Sequence, residues 1–179
     1  MPRRCPAGNL VVIRSMTTDA SLTEQFEPIR VLLVDDHDHV LWGLRKLIEG
    51  EQPRMTVTGT AKSVPQALAA LREERPDVVV LDLYLGEESS LDHLSEIQAS
   101  GAAILVLTGA RDPEAHRRAM QGGARTVVLK EEPAEVLLHE IERANAWRRT
   151  PPNDAARQQD CQSAVETRIA GFISLTTRR

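Results

Sequence analysis

The chain has 179 residues, 41% hydrophobic and only 3% aromatic, with a formal charge of -4, which suits one domain plus tails and a core built from Val, Leu, Ile and Ala. The negative balance argues against a broad basic surface for nucleic acid, and no apolar run approaches the ~20 residues that span a bilayer. Cys5 and Cys161 stand in opposite tails, which argues against a disulfide framework. The basic start Arg3 and Arg4 is followed by too short an apolar stretch for a signal peptide, so the expected location is the cytoplasm.

Residues 1–28 mix Pro, Arg, Thr and acids without periodicity and read as a flexible tail. Val31, Leu32, Leu33 and Val34 then form a first strand that ends on Asp35 and Asp36. A helical period follows, with Val40, Leu41, Leu44, Leu47 and Ile48 on one face and Gly50 as its stop. Asp38 reads as the cap of that helix and Trp42 as a partly buried member of it. Residues 55–59 alternate as an edge strand, and Ser63 with Gln66 forms a capping box, Pro65 in its first turn, for a helix to Glu74.

Pro76 and Asp77 break that helix before Val78, Val79, Val80 and Leu81, an apolar run expected to be buried on both faces as the middle strand of a parallel sheet. It ends on Asp82. Gly86, Glu87, Glu88 and Ser89 read as a solvated polar loop, followed by a helix turning Leu91, Leu94 and Ile97 inward as far as Gly101. Ile104, Leu105, Val106 and Leu107 form a strand ending on Thr108; Asp112 and Pro113 open the next helix and Gly122 and Gly123 close it. Val127, Val128 and Leu129 end on Lys130, and Pro133 opens a last helix with Val136, Leu137, Ile141 and Ala144 inward. Five strand-then-helix units require right-handed crossovers and a parallel sheet covered on both faces. The expected domain spans residues 29–149, residues 150–163 read as a linker, and residues 164–179 hold at most one short helix.

With these strands side by side, Asp35, Asp36, Asp82, Thr108 and Lys130 meet at the carboxyl edge of the sheet, where open α/β sheets bind ligands. Converging carboxylates repel one another and are relieved by protonation or by a cation. An oxygen-only donor set suits Mg²⁺, which takes one or two carboxylates and completes its shell with water and phosphate oxygen. Such a site with a lysine can neutralise a phosphoryl group in transfer, and an aspartate can itself be the acceptor. His37, His39 and His93 are expected at loop and helix surfaces rather than in a metal site.

These five residues, with the stretches "VLLVDDHDHVLWGLRKLIE", "RPDVVVLDLYL" and "GARTVVLKEEPAEVLLHEI", resemble the receiver domain of two-component response regulators, the NarL/FixJ subfamily in particular. The resemblance covers residues 29 to about 147 and implies a flavodoxin-like doubly wound sheet of five parallel strands in the order 2-1-3-4-5. It further implies Asp82 as phosphoacceptor, Asp36 as a direct Mg²⁺ ligand, Asp35 as a ligand through water, and the Tyr84 backbone carbonyl as a further ligand. Thr108 would be the switch hydroxyl and Lys130 the phosphate partner. The partners implied are a sensor histidine kinase or phosphotransfer protein and a second copy of the chain, with no membrane contact. DNA would be reached only through a helix-turn-helix output domain, whose opening the segment Leu175, Thr176, Thr177, Arg178, Arg179 resembles.

Three features depart from that pattern. Val127 stands where the family carries an aromatic residue that swings inward on activation; Gly86, Glu87 and Ser90 replace Pro-Gly and a later Gly; and Glu131 follows the lysine in place of proline. Val127 and the altered loop motivate a second reading, a receiver-like module that dimerises or binds a partner without phosphate. A third, a haloacid-dehalogenase-type phosphohydrolase, expects a second aspartate two residues after the nucleophile, where this chain has Tyr84. A receiver phosphorylates itself and slowly hydrolyses the product, so it is not an enzyme of metabolism.

Overall fold

The structure, a computed structural model, describes residues 27–86 and 88–149. The expectations for both tails, including Cys5, Cys161 and the segment from Leu175 to Arg179, and for Glu87, lie outside the described residues. Strand β1 (Ile29–Val34) leads to helix α1 (Asp38–Glu49), edge strand β2 (Met55–Ala61), helix α2 (Val64–Glu74) and strand β3 (Val78–Leu81). A small ribbon of β4 (Tyr84–Leu85) and β5 (Glu88–Ser89) follows, then a 3-10 turn (Ser90–His93) running into helix α3 (Leu94–Gln98). Strand β6 (Ala103–Thr108), helix α4 (Pro113–Gln121), strand β7 (Ala124–Leu129) and helix α5 (Ala134–Arg149) complete the fold.

Five strands form one parallel sheet in the order β2-β1-β3-β6-β7. With the ribbon strands left out of the count this is the expected order 2-1-3-4-5, with β3 in the middle and all four of its residues buried. Successive side chains of a strand point to opposite faces, so the sheet carries two cores. Leu32, Val34, Val79, Leu81, Ile104 and Val106 pack on one face against Ala67 and Leu71 of α2, Leu94 and Ile97 of α3, and Ala115 and Ala119 of α4. On the other, Val31, Leu33, Val78, Val80, Leu105 and Leu107 meet Leu41 and Ile48 of α1 and Leu137, Ile141 and Ala144 of α5. Each fully buried aliphatic side chain contributes about 1.5–3 kcal/mol, and the register they impose sets which residues share the sheet edge.

Several local expectations hold. Ser63 Oγ accepts from the Gln66 N–H at 3.5 Å and Pro65 lies in the first turn of α2, although Gln66 Oε1 returns to the N–H of Lys62, one residue earlier than in a standard capping box. Asp112 caps α4 by accepting from the Glu114 N–H at 3.0 Å. Other expectations are corrected. Asp38 does not cap α1: His37 holds the cap position without a side-chain bond, and Asp38 is the first helical residue, paired with Lys62 at 2.5 Å. Trp42 is 65% exposed rather than partly buried, because α1 turns Leu41 and Ile48 to the sheet and leaves position 42 facing solvent. The loop after Asp82 is folded into the β4–β5 ribbon, turned by Gly86 at φ +67°, a conformation that glycine adopts without strain.

Candidate functional site at the carboxyl edge of the sheet

Hydrogen bonds beyond the strand ends bring the chemistry-bearing residues level. Val34 pairs with Leu81 and Leu81 with Val106. One residue further, the Asp35 N–H donates to the Ala61 carbonyl at 3.1 Å, the Asp82 N–H to the Val34 carbonyl at 2.9 Å and the Lys130 N–H to the Thr108 carbonyl at 2.9 Å. Asp35, Asp82 and Thr108 are therefore buried, at 2%, 7% and 1% exposure, at the top of three adjacent strands.

Lys130 is the electrostatic centre. Its Nζ donates to Asp35 Oδ2 at 2.5 Å and to Asp82 Oδ2 at 2.6 Å, joining the ends of β1, β3 and β7. Burial works against the charged ammonium, but the two carboxylates outweigh it and raise the lysine above its usual range. For Asp82, burial dominates and raises the carboxyl; Lys130 opposes the shift without cancelling it, and the charge on Asp35 adds to it.

Asp36 is bound differently. Its Oδ2 accepts the Gly86 N–H at 3.0 Å, which ties the ribbon turn to the end of β1. Its buried Oδ1 lies 2.8 Å from His37 Nδ1 but receives no well-directed hydrogen bond. Burial raises this carboxyl, yet the Gly86 N–H and the His37 ring together overcome it and hold Asp36 below the usual carboxylate range. The His37 N–H donates to Asp35 Oδ1 at 2.9 Å, so the turn itself orients the acid pair.

The ribbon presents the remaining group. Ser90 N–H donates to the Leu83 carbonyl at 2.9 Å; since bonded and non-bonded pairs alternate in an antiparallel ladder, Tyr84 and Ser89 form the non-bonded pair. That leaves the Tyr84 carbonyl outside the ribbon's own bonds. The Tyr84 N–H approaches Asp82 Oδ1 at 3.5 Å and its side chain is 44% exposed.

Three carboxylates against one ammonium leave an excess of negative charge, and one buried carboxylate oxygen lacks a directed donor. Both features fit a hard divalent cation among oxygen donors. Asp35, Asp36 and His37 place one donor atom each within 4.8 Å of one another.

The expected residues Asp35, Asp36, Asp82, Tyr84, Thr108 and Lys130 thus share one edge. The sequence reading missed three contributors there. His37, 54% exposed as expected of a loop residue, also turns its ring to the acid pair. The Gly86 N–H holds Asp36, and the Ser90 hydroxyl, buried at 0% exposure, donates to the carbonyls of Asp82 at 2.7 Å and Leu83 at 3.1 Å. Ser90 carried a signal in its departure from the family glycine; the contacts of His37 and Gly86 left none, being products of the turn and ribbon geometry.

A doubly wound parallel sheet with an acidic carboxyl edge closed by a lysine defines a receiver-type α/β module. The family model of the response regulator receiver domain matches residues 31–142. The chain is 33% identical over 130 residues to the DNA-binding transcriptional activator DevR/DosR of Mycobacterium tuberculosis, covering 72% of this chain and 59% of that protein. It is 32% identical over 116 residues to the transcriptional regulatory protein YdfI of Bacillus subtilis, covering 64% and 54%. Among solved structures, a LuxR-family two-component response regulator from Aurantimonas sp. superposes with a TM-score of 0.64 at 31% identity, over 79% of this chain and 99% of that one. A CheY-like receiver protein from Methanospirillum hungatei shares the fold, with a TM-score of 0.63 at 20% identity over 70% and 99%. The chain belongs to the response regulator receiver domain family of two-component systems. It spans little more than half the length of the curated relatives named here.

Proposed function

We propose that residues 29–149 form a phosphorylatable receiver in which Asp82 accepts a phosphoryl group from the phosphohistidine of a sensor kinase or phosphotransfer protein. The observation that carries this reading is the Lys130 ammonium held between the carboxylates of Asp35 and Asp82 at the end of the middle strand. An Asp82 carboxylate oxygen forms a bond to phosphorus as the phosphorus–nitrogen bond of the donor breaks and the imidazole departs. Little covalent assistance is needed, so positioning and charge stabilisation do most of the work. Lys130 neutralises charge on the phosphoryl oxygens and Thr108 offers them its hydroxyl. Asp36, Asp82 and the Tyr84 carbonyl would hold Mg²⁺, with Asp35 behind them; the ion supplies charge neutralisation at the phosphoryl oxygens.

The product is an aspartyl phosphate that shifts an existing conformational equilibrium. The output we infer is transcriptional, exerted in the cytoplasm through a DNA-binding domain or a second copy of the chain. The relatives' descriptions as transcriptional regulators support it, and a structural neighbour, the beryllofluoride-activated NtrC4 receiver domain, is a dimer. Among the described residues no helix is long and apolar enough to cross a membrane.

The test is incubation with acetyl phosphate and Mg²⁺ followed by intact mass and elution volume, with Asp82→Asn as control. Phosphate on the parent alone is the expected result; equal uptake by the Asn variant refutes the assignment. A parent that binds Mg²⁺ and its partner but never takes phosphate supports the interaction module, which Val127 in place of the family aromatic favours.

A further inference from the structure

The loop between β6 and α4 is fastened at one residue from two sides. Thr108 Oγ1 accepts the Ala110 N–H at 3.1 Å, and the Ala110 carbonyl lies 2.7 Å from Nε2 of His116, six residues on and within α4. A carbonyl only accepts, so Nε2 carries the proton and donates. The backbone of Thr108 has no comparable freedom, because it is buried and its carbonyl is held by the Lys130 N–H. What can turn is the Thr108 side chain, and turning its hydroxyl away removes the Ala110 N–H from its acceptor.

The loop has room to follow. A Cβ built on Gly109 meets nothing within 4 Å, so the residue linking Thr108 to Ala110 is unobstructed. The Arg111–Glu131 ion pair beyond it joins two side chains more than half exposed. Besides the Asp112 cap at the start of α4, the half-buried His116 ties the loop to the helix at Ala110, and the neighbouring Ala115 and Ala119 lie in the core with Val127 of β7 packed against the same cluster.

We propose that His116 is a positioning residue of the switch: its bond to the Ala110 carbonyl couples helix α4 to the loop held by Thr108, so that drawing the hydroxyl to a phosphoryl group on Asp82 moves α4. The inference rests on the phosphorylation of Asp82 proposed above. It assigns to a hydrogen bond the coupling that Val127, lacking an aromatic ring, is not equipped to provide.

Hydrogen–deuterium exchange of residues 109–121, measured with phosphate occupancy by intact mass in the same samples of the full chain, tests it. Wild type, His116→Leu and His116→Gln are compared with and without acetyl phosphate and Mg²⁺. Before phosphorylation the Leu variant exchanges about two- to twelvefold faster in this segment, the loss expected for one hydrogen bond. On phosphorylation the wild type changes its exchange there, the Leu variant takes phosphate with that change lost, and the Gln variant, whose amide still donates, recovers it. A wild-type response in phosphorylated His116→Leu overturns the coupling, as does a Gln variant that behaves like Leu or a phosphorylated wild type with no change in this segment. A wild type that takes no phosphate overturns the functional reading and the inference with it.

Discussion

The Ser90 hydroxyl offers a direct measure of how firmly the acceptor strand end is held. It is fully buried and its single proton is shared between the carbonyls of Asp82 at 2.7 Å and Leu83 at 3.1 Å. Ser90→Ala removes that donor. The Leu83 carbonyl keeps the Ser90 backbone N–H at 2.9 Å, so the loss falls mainly on the carbonyl of Asp82. Leaving a buried acceptor without its donor costs about 1–3 kcal/mol. For a domain of this size each kcal/mol is worth about 4 °C in Tm, so the variant is expected to melt about 4–12 °C lower. The same hydroxyl tethers the segment from Asp82 to the Tyr84 carbonyl, so Mg²⁺ affinity should fall as well. Thermal melting in chelator and Mg²⁺ titration followed by tryptophan fluorescence check both. A Ser90→Ala protein with the parent's Tm and Mg²⁺ affinity would falsify the claim that this hydroxyl anchors the acceptor.

Three further outcomes follow from the geometry. Asp82 has a folded pKa raised above its ordinary value of 3.8; its favourable contribution is present below that ordinary value and lost as pH rises through the raised one. Without divalent ions, Asp82→Asn should therefore have a higher urea midpoint than the parent at neutral pH and lose that advantage in acid, and a lower midpoint at neutral pH contradicts the charge reading. Gly122→Ala would place its Cβ 2.7 Å from Cδ1 and 3.1 Å from Cβ of the buried Leu94, an overpacking worth about 1–3 kcal/mol by denaturant unfolding; an unchanged midpoint means that Leu94 can move aside. Trp42→Ala, at a position 65% exposed, should change stability by no more than about 0.5 kcal/mol, and a loss several times larger would show that the ring is packed.

By itself the sequence determined the five-stranded parallel sheet and the placing of Asp35, Asp36, Asp82, Thr108 and Lys130 at its carboxyl edge, because both are written in local patterns. Buried strands such as Val78–Leu81 read as apolar runs, amphipathic helices show their period, and each functional side chain stands one or two residues past such a run. Caps and breakers at Ser63, Asp112 and Gly123 marked helix ends for the same local reason. Only the tertiary structure decided how those side chains are shared. Lys130 reaches Asp35 across 95 positions of chain, and the Gly86 N–H reaches Asp36 across 50. It also decided which face of α1 exposes Trp42, that Lys62 rather than a cap position partners Asp38, and that His116 meets Ala110. Such contacts depend on side-chain direction and on how each turn presents its backbone groups. Neither has a period that a sequence pattern can record.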